Sequence, residues 1–268
     1  MPFFPKFLAA AVLATSLVGC TPDFGVTMAA APPPVPAVIP VDAADAGRYS
    51  AVLDEGYTIP AVPVAEIPAE FLRQTVDYPT TEPIGTIVID PSTKHLYLVT
   101  AANQALQYGI AVGRAGYGWS GEANITSRTT WPKWIPPYEM IDRRPELEKF
   151  RDVGQPGGLT NPLGARALYL TTNGVDYGYR IHGTPEWESI GHNASSGCIR
   201  MINQDVMDLY SRVPDGTHVV VLNDDGSFPS KLTVPPKPAA KKVTPKPAKP
   251  VDVPDLPAAP PTPVYGPF

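Results

Sequence analysis

The sequence is poor in the residues that most often hold metal ions, with two cysteines and four histidines among 268 residues. His182, His192 and Cys198 would supply three ligands, but the paired short spacings of structural zinc sites are absent. An excess of basic charge is also missing, since the formal net charge is −5. These shortages argue against a metal site and against nucleic acid as a partner, and no cofactor is expected.

The sequence also lacks the long apolar run of a membrane span at its start. Phe7–Val18 is too short to cross a bilayer comfortably, and with Lys6 before it the run predicts a secretory signal. The run ends in Leu17-Val18-Gly19-Cys20, which resembles the lipobox of bacterial lipoproteins, whose cysteine becomes the lipidated first residue. An ordinary signal peptide cleaved near Gly19, with an incidental cysteine, is the alternative.

The lipobox interpretation predicts a signal peptide at residues 1–19 and a periplasmic protein anchored to the membrane through Cys20. Thr21 is not the aspartate of an inner-membrane retention signal, which favours the outer membrane. Lipidation of Cys20 also excludes a disulfide with Cys198. Cys198 is then a lone thiol in an oxidising compartment, where a free thiol is a liability and invites a functional explanation.

The 35 prolines are concentrated at the two ends of the chain. Residues 20–81 and 224–268 are therefore predicted to be disordered linkers, because they offer too little apolar surface to offset the entropy of ordering. The second segment also carries six lysines, which suit either a solvated spacer or contact with an anionic surface. The remaining residues, 82–223, have the usual size of one domain.

The central region predicts short strands with few helices. Strands of β-branched and aromatic residues bounded by turn formers are expected at Thr86–Asp90, His95–Thr100, Ala105–Val112, Asn124–Thr129, Ala165–Thr171, Tyr177–His182 and His218–Leu222. Helices are expected at Arg144–Val153 and, with Asn203 as N-cap, at Asn203–Val213. The fold class is mostly β, a sandwich or barrel-like core with one or two short helices and a loop-rich insertion between Trp131 and Gly164.

Cys198 and His182 form the pattern that points to chemistry. A free thiol has a pKa of about 8.5, so it needs a base, and a nearby imidazole supplies one and returns the proton to a leaving amine. The turn Ser195-Ser196-Gly197 before the thiol suits backbone N–H groups that face a developing oxyanion, and Arg200 is placed to hold a carboxylate. Taken singly, a core cysteine or a hydrogen-bonded strand-end histidine would be the simpler interpretation.

Two separated motifs resemble the catalytic domain of the L,D-transpeptidase family (YkuD-type; ErfK/YbiS/YcfS/YnhG). They are Ile181-His-Gly-Thr184 and Ser195-Ser-Gly-Cys-Ile-Arg-Met201, and the resemblance extends from about Gly85 to Leu222. It implies a β-sandwich-like domain that acts on peptidoglycan stem peptides, with a loop lid over the donor groove.

The resemblance also implies a role for each site residue. Cys198 is the nucleophile that forms an acyl-enzyme at the bond before the terminal D-alanine, and His182 is the general base and acid. The backbone at Ser196 and Gly197 supplies oxyanion donors, while three residues bind substrate: Arg200, Tyr179 and Gly183. Acceptors implied for the acyl group are the amine of a neighbouring stem or of an envelope protein.

One position departs from the family pattern. Many members have Ser-His-Gly-Cys, whereas this chain has Ser196 in place of the histidine, and His192 is either a substitute or a solvent-facing loop residue. Two alternatives to transpeptidation stay open: a cysteine carboxypeptidase or amidase that uses water, and a wall-binding lipoprotein without activity.

Overall fold

The computed structural model of the chain describes residues 47–114 and 118–233. These residues form a mostly-β domain with few helices, which confirms the expected class. The strands are β1 (Val52–Asp54), β2 (Tyr57–Ile59), β3 (Gln74–Asp77), β4 (Ile87–Asp90), β5 (His95–Ala101), β6 (Gln104–Gly113), β7 (Gly121–Thr130), β8 (Arg166–Thr171), β9 (Arg180–Thr184), β10 (Asn193–Ser195), β11 (Ile199–Ile202) and β12 (His218–Val221). The α-helices of at least six residues are α1 (Tyr138–Arg143) and α2 (Asn203–Arg212) within the described ranges.

The main sheet closes on itself like a barrel. Its strands follow the order β6, β11, β9, β8, β7, β12, β4 and β5, and β5 pairs again with β6. Strands β3 and β10 attach to β6 at its free ends, and β1 and β2 form a separate hairpin. Closure satisfies the backbone groups that an open sheet would leave at its edges.

Side chains from alternate positions of these strands fill the barrel. Ile87 and Ile89 of β4 lie in the largest apolar cluster, whereas Val88 between them packs outside the barrel with Tyr97 and Val220. This alternation follows from the two-residue period of a strand. Both faces of the β4–β5 side of the sheet are therefore covered.

The expected helix Arg144–Val153 is replaced by two shorter elements. α1 ends at Arg143, and a 3-10 helix runs over Pro145–Phe150. Arg144 between them has φ −133° and ψ 81°, as expected for a residue that the following proline ring excludes from the α-region. Pro145 therefore breaks the predicted helix.

Residues 47–77 belong to the folded unit, which corrects the prediction of a linker up to residue 81. Tyr49, Ile59 and Leu72 of this N-terminal segment are at most 2% exposed. Tyr49 and Leu72 share a second apolar cluster with Ala111 and Ile202 of the barrel strands. The segment also adds β3 to the edge of β6. Its prolines stiffen turns between buried apolar residues and do not mark disorder.

A buried charged cluster joins this segment to α2. The Arg73 guanidinium lies 2.6 Å from Asp208 and 3.7 Å from Asp205, whose side chain is fully buried. Tyr49 donates a hydrogen bond to Asp205 at 3.1 Å, and its hydroxyl accepts one from the Arg73 backbone N–H at 2.8 Å. Tyr108 of β6 donates to Asp208 at 2.7 Å. Burial raises the pKa of Asp205 to about 7, against the lowering effect of Arg73.

The start of the predicted C-terminal linker is also ordered. Thr233 exchanges backbone hydrogen bonds with Ser120, at 2.8 and 3.0 Å, and Leu232 packs against the barrel core. The prediction of disorder is thus corrected for residues 224–233. The signal peptide, Cys20 and residues 234–268 lie outside the described residues. Within the described ranges, no helix is both long and apolar enough to span a membrane.

Candidate active site

Two adjacent parallel strands bring the sequence motifs together. In the register of β9 and β11, Ile199 lies opposite Ile181 and Arg200 lies opposite His182. Both isoleucines are part of the barrel core, so His182 and Arg200 project from the other face. Cys198 comes two residues before Arg200 and shares that face. Strand pairing thus closes the sixteen-residue separation between His182 and Cys198.

The His182 ring is buried, and one of its nitrogens forms a hydrogen bond to the backbone. Nδ1 lies 2.6 Å from the Gly183 carbonyl oxygen, and because that oxygen can only accept, Nδ1 carries the hydrogen. Nε2 is then the nitrogen with a free lone pair. Burial lowers the pKa of His182 to about 4, and the positive charges of Arg200 and Arg180 add to the effect. The imidazole is therefore neutral at pH 7.

Gly183 is buried beneath a side chain, which contradicts its predicted role in binding substrate. A Cβ there would lie 2.3 Å from Asn203 Oδ1, and the same oxygen lies 2.3 Å from the Cβ position of Gly164. Asn203 Oδ1 accepts from Ala165 N–H at 2.9 Å, and Nδ2 donates to the Thr184 carbonyl at 3.0 Å. Gly183 thus supports the imidazole through its carbonyl. Asn203, expected as an N-cap, is the first residue of α2 and ties β9 to the loop before β8.

The turn before the cysteine is held by the Ser195 hydroxyl. Ser195 Oγ donates to the Cys198 carbonyl at 2.5 Å and accepts from the Gly197 N–H at 3.1 Å. Gly197 has φ 112°, a left-handed conformation that favours glycine. This supports the predicted turn, and the Gly197 N–H, predicted as an oxyanion donor, is bonded to Ser195 in the absence of substrate. Ser196 is exposed at the tip of the turn.

The Cys198 thiol is partly exposed and faces the turn before β9. Sγ donates a hydrogen bond to the Gly178 carbonyl at 3.7 Å. Burial raises the pKa of the Cys198 thiol, and the groups of Arg180 and Arg200 offset part of that rise. Among the described residues the thiol is bonded to Gly178 and not to His182, so both members of the pair are neutral at rest.

The remaining predicted residues surround this pair. Arg200, expected to hold a carboxylate, pairs with Glu186 at 2.9 Å. Tyr179 stacks on Trp119 with ring centroids 4.8 Å apart. Burial, followed by the charge of Cys198, raises the pKa of Tyr179 to about 12. His192 is exposed on a loop.

The insertion between Trp131 and Gly164 is an ordered loop. Fully buried Asn161 donates to the carbonyls of Pro132 and Pro156, at 3.0 and 2.9 Å, and thereby joins its two halves. Trp131 stacks on Tyr57, 4.2 Å away, so this tryptophan packs against the N-terminal segment.

A cavity of about 310 Å³ opens beside the turn, at one end of the barrel core. Gly197 and Ile199 line it on one side, and Lys94 and Arg114 stand on its polar rim. Neither Cys198 nor His182 is among its lining residues, so the cavity adjoins the thiol through the backbone that flanks it.

Sequence reasoning missed Asp176 and Arg180. They form an ion pair at 2.8 Å in the turn that carries Gly178, directly beside the thiol. In the sequence, an Asp and an Arg four residues apart in a polar loop are typical of a solvated surface pair, so the pattern held no signal for the site.

Comparison with known proteins supplies the family. Residues 84–221 match the family described as YkuD, L,D-transpeptidase catalytic domain. The putative L,D-transpeptidase YqjB of Bacillus subtilis is 31% identical over 53% of this chain and 73% of its own length. The probable L,D-transpeptidase YbiS of Escherichia coli K12 is 27% identical over 62% of this chain, which spans only 52% of that relative.

Solved structures are similar to this chain only at low TM-scores. A Brucella melitensis protein called a probable carnitine operon oxidoreductase is 49% identical over 59% of this chain and 97% of its own, with a TM-score of 0.41. L,D-transpeptidase 3 from Mycobacterium tuberculosis is 17% identical over 52% of this chain and 60% of its own, with a TM-score of 0.36. At these TM-scores neither structure bears on function. The match over residues 84–221 is sufficient: the chain belongs to the L,D-transpeptidase catalytic-domain family.

Proposed function

We propose that this chain is a peptidoglycan L,D-transpeptidase whose nucleophile is Cys198 and whose general base and acid is His182. The observation that supports the proposal is the pairing of β9 with β11, which sets a thiol and a neutral imidazole of fixed tautomer on one face of the sheet. The donor is a stem tetrapeptide. Its acyl group passes to an amine on a neighbouring stem or on an envelope protein.

Acylation begins when the thiol leaves the Gly178 carbonyl and gives its proton to His182 Nε2. The sulfur bonds to the carbonyl carbon before the terminal D-alanine, and the carbon–nitrogen bond then breaks. His182 returns the proton to the departing D-alanine nitrogen. In the second half, the acceptor amine attacks the thioester, His182 takes its proton, and the thiolate leaves and is reprotonated.

The electrostatics of the site favour a neutral thiol and a neutral imidazole at rest, with the proton transferred during the reaction. They disfavour a resting thiolate–imidazolium ion pair. Burial favours the neutral forms of both His182 and Cys198. Arg180 and Arg200 disfavour a charged imidazole, and they stabilise the thiolate as it forms. The oxyanion donors are backbone N–H groups from Ser196 to Cys198, and the Gly197 N–H exchanges its bond to Ser195 for one to the oxyanion.

The acylation rate is expected to stay high down to about pH 5 and to fall through about pH 4. His182 must be neutral to accept a proton, and its pKa is lowered to about 4, so acid protonates it well below the usual histidine range. Single-turnover acylation measured from pH 3.5 to 9, with circular dichroism at each pH to confirm folding, tests this. An acid limb centred between pH 6 and 7 would contradict a buried neutral base.

The reaction is tested with muropeptides that carry tetrapeptide stems, incubated with and without an added amine acceptor. Transpeptidation gives cross-linked dimers together with free D-alanine, and a Cys198→Ala variant serves as the blank. Release of D-alanine without dimers, unchanged by the acceptor, would instead indicate a carboxypeptidase. No product of either kind would leave the wall-binding alternative.

We also propose that the mature protein is periplasmic and anchored by lipid at Cys20, with the outer membrane favoured. The support is sequence alone: the apolar run that ends in Leu17-Val18-Gly19-Cys20. Cys20→Ala is expected to abolish incorporation of labelled palmitate and to remove the protein from the membrane pellet of fractionated cells. Unchanged labelling and pelleting of that variant would rule out lipidation at Cys20.

A further inference from the structure

A short turn between β8 and β9 is organised by one carboxylate. Asp176 Oδ1 accepts from the Gly178 N–H at 2.7 Å and from Arg180 Nη1 at 2.8 Å. Asp176 Oδ2 accepts from Arg180 Nη2 at 2.9 Å, which completes a two-point pairing. The carboxylate therefore fixes both ends of the 178–180 backbone at once.

The guanidinium in this pair is held on further sides. Arg180 Nη1 also donates to the Tyr179 carbonyl at 2.8 Å, and the guanidinium lies over the Tyr169 ring, 4.6 Å from its centroid. Its side chain is 18% exposed, compared with 60% for Arg144 in a simple surface pair. A cation with three kinds of partner stays in one place, unlike most exposed ion pairs.

The fixed turn meets the sulfur of Cys198 through its backbone. The Gly178 carbonyl accepts a hydrogen bond from Sγ at 3.7 Å, whereas the backbone N–H of Arg180 lowers the pKa of the thiol. The two groups act in opposite directions, because a carbonyl favours the protonated thiol and an N–H favours the thiolate. The Asp176 and Arg180 side-chain charges oppose each other in the same way.

We infer that Asp176 and Arg180 are positioning residues for Cys198, which lock the 176–180 turn so that its carbonyl, N–H and guanidinium act on the sulfur. This inference rests on the proposed function, in which Cys198 is the nucleophile. Asp176 and Gly178 keep the thiol protonated at rest, and Arg180 stabilises the thiolate once the proton leaves. Other charged or titratable groups near the sulfur are Arg200 with its partner Glu186, Tyr179 and His182, and they stay unchanged in the test below.

Two variants of the same ion pair separate this role from a structural one. Asp176→Asn removes a negative charge, so the pH profile of Cys198 alkylation should shift to lower pH. Arg180→Gln removes a positive charge, so the profile should shift to higher pH, each by about half a pH unit. A purely structural pair predicts the same direction for both variants, because each breaks the same contact.

The measurement is the rate of iodoacetamide labelling of Cys198 between pH 6 and 11, followed by intact-protein mass spectrometry. The full mature chain carries Cys20→Ala in every variant, so that Cys198 is its one thiol. Glu146→Gln and Arg144→Gln, which break an exposed ion pair in the insertion, are matched controls and should leave the profile in place. Arg180→Lys keeps the charge but loses the two-point pairing. It should keep the wild-type alkylation profile while lowering the acylation rate constant. If Arg180→Gln unfolds, an Arg180→Lys profile that shifts together with that of Asp176→Asn would overturn the inference.

Shifts in the same direction, or none, would overturn the inference. The alkylation profile can be measured whether or not the proposed reaction occurs, because iodoacetamide labelling needs no peptidoglycan substrate. If muropeptide dimers formed equally with Cys198→Ala, the proposed function would fail while the opposite alkylation shifts could still appear. If dimer formation depended on Cys198 but both alkylation profiles shifted in the same direction, the proposed function would stand. Only the inference that Asp176 and Arg180 position the sulfur would fail.

Discussion

Cys198→Ala is expected to lower muropeptide cross-linking by at least about 10⁴-fold, which is the largest loss of activity that any single change in the site should cause. Alanine has no lone pair with which to attack the donor carbonyl, so no thioester forms and no acyl group reaches the acceptor. His182 keeps its bond to Gly183 and is left to activate water only. Dimers counted by liquid chromatography with mass spectrometry measure the loss.

The Cys198→Ala variant should lose activity but keep its fold. The turn is held by Ser195 Oγ through the Cys198 carbonyl, which alanine retains, and the thiol itself is partly exposed. Its unfolding free energy should stay within about 1 kcal/mol of the wild-type value. Cys20→Ala is the matched control, because it removes the other cysteine of the chain and should keep full activity in solution. Equal dimer yields from wild type and Cys198→Ala would refute the assignment of the nucleophile.

The proposed catalytic pair, His182 and Cys198, could be predicted from sequence because its signal is local. The residues next to each member of the pair make it recognisable. His182 ends a strand and is followed by a glycine, and Cys198 follows a Ser-Ser-Gly turn. What joins them is a parallel register between β9 and β11, and parallel pairing leaves no mark on sequence spacing. The site was thus identified by its residue types, while its geometry came only from the fold.

Two predictions differ from the structure because packing between distant segments decides both positions. The N-terminal segment has prolines on either side of single buried residues such as Val62, so neither a helical nor a strand period appears. The family resemblance implies a substrate role for Gly183, but the space beside it is filled by Asn203, twenty residues later in the chain. Contacts between distant segments of this kind have no local pattern.

Closure of the barrel also could not be predicted from the sequence. The sequence predicts most of the strands, and the β4–β5 hairpin follows from its turn. The second partner of β6, strand β11, lies some ninety residues further along the chain, and nothing in either strand specifies the other. The expectation of a sandwich or a barrel-like core was as far as alternation alone could lead.

Arg73→Met is expected to cause the largest loss of stability, about 3–5 kcal/mol at pH 8. It leaves the fully buried Asp205 with Tyr49 and the weaker influence of Arg48 but without its ion-pair partner, while Asp208 keeps Tyr108 and Arg212. The penalty should depend on pH. In the folded chain burial already raises the Asp205 pKa to about 7, against 3.8 as the ordinary value, and loss of Arg73 raises it further. A group with a raised folded pKa costs stability as pH rises above its unfolded value, so the variant should lose less at pH 5 than at pH 8.

Urea unfolding of the full chain at pH 5 and pH 8 measures the difference between wild type and variant. Arg144→Met removes a cation from an ion pair in which both side chains are about 60% exposed, and it should change stability by no more than about 0.5 kcal/mol. The double variant Arg73→Met/Asp205→Asn removes the stranded charge and should recover much of the loss, because asparagine still accepts from Tyr49. A single variant as stable as wild type at pH 8 would mean that Arg73 does not compensate Asp205. If the double variant were no better than the single, the loss would belong to the packing of the N-terminal segment and not to the buried charge.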